Sequence, residues 1–128
     1  MSDTEDFMNL QEFTTGFING NSKGLGLTAD SGSVQGGQVL VSSFNVIDTS
    51  GTAGDAVTLP VIYPAGQLIF IKNGAAINAI DVFPSLNDNA GAGANTAISL
   101  AAGAGICYIA TTGSSEIADV GVWEPLIP

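Results

Sequence analysis

From Gln38 onward the apolar positions fall in short runs, most of them bounded by Gly, Pro, Asn or Asp, and none keeps a helical period. Runs of that kind read as strands joined by tight turns. The pattern predicts strands at 39–47, 57–59, 68–72, 79–83, 96–100, 106–110 and 117–123. Seven short strands at this spacing predict an all-β domain, a small antiparallel β-sandwich or β-tulip. Two segments echo each other. Thr58-Leu59, Ala65-Gly66 and the run 68–71 are matched by Ser99-Leu100, Ala102-Gly103 and the run 106–109. Each reads as strand, turn, strand, with Gly supplying the positive φ of the turn, and the two are expected to be hairpins.

The runs 68–71 and 106–109 are apolar at every position, so both faces of each strand are apolar. A sheet with one face in water would alternate. Either the rest of the chain covers the second face or a second copy does, and the second copy is the expectation here. Ile69 and Ile71 are the contact residues that this reading names.

Residues 1–37 differ from the rest and are expected to form an arm and a Gly/Ser-rich linker ahead of a β-domain at 38–128. Ser2 and Glu5 stand at capping-box spacing, and Phe7, Leu10, Phe13 and Phe17 recur every three or four residues. This predicts a short helix near residues 4–14. The stripe could pack on its own domain. The alternative is an arm docking on a neighbouring subunit or shell, since an exposed stripe is otherwise a solubility liability. The stretch from Asn19 to Gly37 reads as loop.

Composition removes much of catalysis. The 128 residues hold two Lys, no His and twelve Asp and Glu, for a net charge of −10. Phosphate backbones are bound chiefly through Lys and Arg, so nucleic acid and anionic membrane are poor partners. No imidazole is present for acid–base or triad chemistry. The single cysteine, Cys107, can form neither an internal disulfide nor a zinc site, and its apolar strand reads as a small buried hydrophobe. The acidic first residues lack the basic-then-apolar pattern of a secretory signal, and synthesis in a cytoplasm is expected. No apolar stretch is long enough to span a bilayer.

The remaining candidate chemistry is thin. Asn87-Asp88-Asn89 opens like a calcium loop but lacks the closing Glu and a correctly placed Gly. Gly91-Ala92-Gly93 and Gly103-Ala104-Gly105 lack the Lys-Ser/Thr of a phosphate cradle. Asp81 and Asp88 are a possible carboxylate pair that no pattern selects. Trp123 reads as a half-buried strand-end side chain, with a contact or sugar-stacking role as the alternative. No cofactor, no metal and no enzymatic activity are expected.

The series Thr58-Leu59-Pro60, Ala65-Gly66, Lys72-Asn73, Val82-Phe83-Pro84, Ala94-Asn95, 99–103 (Ser-Leu-Ala-Ala-Gly) and a closing Trp123 resembles small structural proteins of tailed bacteriophages. It covers residues 55–123, with Ile71 where the family has Val, and an Ala/Gly-rich loop at 87–95 where an Ile-Asn-Gly turn is usual. The resemblance implies a capsid decoration (cement) or head-fibre protein on the outer surface of a virion. It further implies a homotrimer bound where major capsid proteins meet. Phe7, Leu10, Phe13, Phe17, Ile69, Ile71 and Trp123 are then the expected capsid or subunit contacts. A fibre module that binds host glycan is the alternative.

Overall fold

The computed structural model describes residues 23–62, 65–114 and 120–126. Among them the chain is all-β, with eight strands and no helix: β1 (Lys23–Thr28), β2 (Phe44–Thr49), β3 (Asp55–Thr58), β4 (Leu68–Asn73), β5 (Ile80–Phe83), β6 (Ile98–Leu100), β7 (Gly105–Thr112) and β8 (Val122–Pro125). They form a five-stranded sheet in the order β1-β2-β4-β7-β8 and a three-stranded sheet in the order β3-β5-β6. The helix expected near residues 4–14 lies outside the described residues.

Both sheets are mixed, which corrects the antiparallel expectation. β1 with β2, β2 with β4 and β3 with β5 are parallel, while β4 with β7, β5 with β6 and β7 with β8 are antiparallel. The reason is the winding of the chain. A parallel neighbour needs a crossover of a dozen or more residues, commonly a helix. For β2 with β4 and for β3 with β5 the crossover is a strand of the opposite sheet, the chain alternating between sheets through β2, β3, β4 and β5, whereas the β1–β2 crossover is a loop that bridges β3 at Asp30 and Val39. Phe44 thus comes to lie opposite Phe70, and Asp55 opposite Ile80. Only β6 and β8 pair antiparallel with the strand that precedes them.

This winding also corrects the hairpin reading. In each echoed segment the first strand lies in the three-stranded sheet and the second in the five-stranded one. The two second strands then pair with each other, Leu68 opposite Ile109 and Ile71 opposite Ile106. Gly66 and Gly103 sit in the connections with φ of 95° and 80°, as a tight reversal requires.

Residues 23–37 belong to the fold. β1 is an eighth strand in a stretch that reads as loop, and Asp30 bridges Ala56 of β3 through two backbone hydrogen bonds, at 2.8 and 2.9 Å. The run expected to be one strand at 39–47 is divided. Val39 bridges Thr58 of the three-stranded sheet, the chain then changes sheet, and β2 starts at Phe44. These added bridges cover the edge of β3, all four residues of which are buried.

One hydrophobic core lies between the sheets. Ile47, Ile69, Ile71, Tyr108, Ala110 and Trp123 enter it from the larger sheet, and Val57, Ile80, Val82 and Leu100 from the smaller. Tyr108 and Trp123 meet edge to face at 6.4 Å, and the Tyr108 hydroxyl donates to the Ala90 carbonyl at 3.1 Å. Burial pushes the Tyr108 pKa up to about 12.

Candidate interaction surface

Strand alternation sends every second side chain of the larger sheet away from the core. In β4 the exposed residues are Leu68, Phe70 and Lys72, and the buried ones are Ile69, Ile71 and Asn73. Phe44 of β2 lies opposite Phe70 on the same outer face, their rings 6.0 Å apart and tilted by 43°. Across β7, Cys107 is opposite Phe70 and Ile109 opposite Leu68. By alternation Val46 of β2 extends the face, and Leu25 of β1 stands beside it in the register shift between Gly24, opposite Asn45, and Leu27, opposite Ile47. Leu25 is 60% exposed and Phe70 45%. The outer face is therefore a continuous apolar field across four strands.

Charge surrounds this field. Lys72 stands on it, its Nζ donating to the Gly103 carbonyl, and Lys23 of β1 is opposite Phe44 at the sheet edge. Asp48 stands at the end of β2, and Glu124 of β8 lies opposite Ile109. The Cys107 thiol sits partly exposed within the field, its pKa raised by burial. A thiol with a raised pKa holds little thiolate at neutral pH.

A second group of apolar side chains marks the end of the molecule where β2 and β4 begin and β3 and β5 finish. Val41, Val61 and Leu86 are exposed there on three different connections.

The expected contact residues distribute unevenly. Ile69, Ile71 and Trp123 are 2%, 0% and 1% exposed and form part of the core, so in the folded chain they face no other molecule. Nor does Trp123 offer a sugar a stacking platform. Phe7, Leu10, Phe13 and Phe17 lie outside the described residues. The outward residues Phe44, Leu68 and Phe70 were missed because a run apolar at every position does not say which parity faces the core, and shifting by one residue exchanges the faces.

The polar candidates serve the fold. Asp88 is buried, its Oδ1 accepting the Gly121 N–H at 2.8 Å and its Oδ2 the Ser114 hydroxyl at 2.7 Å. Asp81 accepts a hydrogen bond from the Ser33 hydroxyl. No group of three or more His, Cys, Asp or Glu able to hold a metal ion occurs among the described residues.

Residues that carry the phage resemblance also make framework contacts. The Thr58 hydroxyl donates to the Gly37 carbonyl and accepts the Gly36 N–H, both at 2.9 Å. The Asn73 amide donates to the carbonyls of Asn78 and Leu100 at 3.0 Å, and its oxygen accepts the Ala75 N–H at 3.1 Å. Asn95 Oδ1 accepts the Asn87 N–H at 2.6 Å. The motif thus specifies turns and crossings rather than a binding pocket. Compared with known proteins, the chain matches no protein-family model and none of the curated proteins.

Proposed function

We propose that this chain is a structural protein of a tailed-phage particle, a β-sandwich that decorates the outer capsid surface where major capsid proteins meet. The observation that carries the reading is the apolar outer face of the larger sheet. It is a surface built for contact with protein, on a chain whose polar side chains are spent on its own turns. The net charge of −10 suits the outside of a shell better than contact with packaged DNA. Homotrimeric assembly and the absence of a nucleic-acid or membrane partner belong to the same proposal. So do synthesis in the host cytoplasm and anchoring through the stripe Phe7, Leu10, Phe13 and Phe17.

The test is a mass-calibrated gel of purified particles, followed by rebinding of the isolated protein to emptied shells. A decoration protein is expected in hundreds of copies per particle and rebinds stoichiometrically. A few tens of copies would favour a fibre, and absence from the particle would end the virion reading.

A further inference from the structure

We infer that the outer face of the five-stranded sheet, centred on Phe70 and Cys107, is covered by a second copy of this chain. The inference deepens the proposed function by assigning this face to self-association rather than to the shell. It rests on that reading of the face as a protein contact, and the two fail separately: particle copy number tests the virion assignment, and sedimentation of the isolated chain tests this one.

The first argument is area. Leu25, Phe44, Leu68 and Phe70 are 60%, 36%, 40% and 45% exposed, and Leu126, hydrogen-bonded through its N–H to the Cys107 carbonyl, is 50% exposed. Together they leave roughly 400 Å² of apolar surface in one patch, the size that marks an interaction site on a small protein. A surface of equal area from another copy, with the part-buried Val46, Cys107 and Ile109, brings the burial to about 1,000 Å², the lower bound for a specific interface.

Charge is the second argument. Two chains of net charge −10 repel each other unless they meet through a surface depleted of carboxylates. Asp48 and Glu124 stand at the margins of this face and Lys72 at its upper end, so the face carries both signs at its rim around a neutral centre. A copy of itself therefore meets attraction at the rim and apolar surface at the middle, whereas a strongly charged partner meets only the rim. Pairing through the β8 edge is a worse alternative, because Pro125 lies on that strand and cannot donate to a ladder.

Cys107 supplies a probe already in the protein, since it is the only cysteine of the chain. The experiment is sedimentation of the full-length chain across micromolar concentrations, with the alkylation rate of Cys107 measured on the same samples. The expected result is a concentration-dependent oligomer in which alkylation slows as assembly proceeds. Phe70→Asp and, on a different strand, Leu25→Asp are expected to abolish assembly and restore fast alkylation, while circular dichroism stays that of the parent. If either variant fails to fold, the concentration dependence of alkylation in the parent chain still decides. A monomer with readily alkylated Cys107 overturns the inference, as do variants that assemble like the parent. A monomer with protected Cys107 at every concentration also overturns it, because another part of the same chain then covers the face.

Discussion

Replacing Asp88 by Ala tests the hydrogen-bond system that ties three connections together. The carboxylate is fully buried, holding the Gly121 N–H at 2.8 Å and the Ser114 hydroxyl at 2.7 Å. The Ser114 oxygen in turn accepts the Ile62 N–H at 2.8 Å, and the Asp88 carbonyl accepts the Asn95 N–H at 3.0 Å. The Asp88 side chain thereby links Gly121 and Ser114, and through Ser114 also Ile62, while the Asp88 backbone holds Asn95. Removing it strands two donors. An unsatisfied buried group costs about 1–3 kcal/mol, and a hydrogen bond to a charged group contributes a similar amount. A loss of about 3–5 kcal/mol is therefore expected, a large share of the roughly 5–15 kcal/mol that holds a domain folded. Asp88→Asn keeps one acceptor, and the Ser114 hydroxyl can turn to accept from the new amide, so about 1–3 kcal/mol is expected. The space is also closed: a Cβ on Gly121 would lie 2.9 Å from both Asp88 Oδ1 and Ser114 Oγ. Gly121→Ala should accordingly destabilise by about 1–3 kcal/mol through overpacking. The assay is urea unfolding followed by Trp123 fluorescence, with midpoints compared at a common slope. An Asp88→Ala protein within about 0.5 kcal/mol of the parent would refute the reasoning, since surface changes produce shifts of that size. So would an Ala variant more stable than the Asn variant.

Three further outcomes follow from the core. The Tyr108 pKa is raised from 10.0 to about 12, so the folded chain holds its proton longer than the unfolded one. Stability should be complete below pH 10 and fall as pH rises from 10 toward 12, and Tyr108→Phe should remove that decline; equal slopes in both proteins would argue against a buried phenol. Trp123 is the only tryptophan, and its buried indole N–H has no hydrogen-bond partner among the described residues; native emission should lie well to the blue and move red on unfolding, and an already red native spectrum would contradict the packing. Gly24→Ala should cost about 1–3 kcal/mol in the same urea assay, because a Cβ there would lie 2.8 Å from Asn45 Oδ1. The Asn45 amide is held by the carbonyls of Ser42 and Phe70 at 2.8 and 3.2 Å and cannot swing aside without releasing them, so an unchanged midpoint would show that this contact relaxes freely.

What the amino-acid order determined by itself is local. Short apolar runs closed by Gly, Pro, Asn and Asp placed β4 at 68–72 within one residue of its observed end. They also placed β5, β6 and β7 close to their observed positions. The absence of a helical period after residue 20 correctly marked the described part of the chain as all-β, because a period of two or of 3.6 is a property of consecutive residues. The doubly apolar character of 68–71 and 106–109 was equally legible, and it showed that the outward residues of these strands are apolar.

Tertiary structure decided everything that depends on who pairs with whom. Lys-Gly-Leu-Gly-Leu-Thr at 23–28 has two glycines and poor strand propensity, and it is a strand because β2 offers it a ladder from twenty residues away. Parallel winding could not be read either: a crossover made of strand looks, locally, like a hairpin arm. Parity is the sharpest case. Ile69 and Phe70 are both large and apolar, and only the placement of the second sheet turns Ile69 into core and Phe70 into surface. Asp88 shows the same division, since its three-residue Asn-Asp-Asn context reads as a solvated turn. Its burial follows from Ser114 and Gly121 arriving from the far end of the chain. Hydrophobic pattern specifies where strands form because it acts along the chain, whereas the identity of a contact face is a property of the space between sheets and comes into being only when they close.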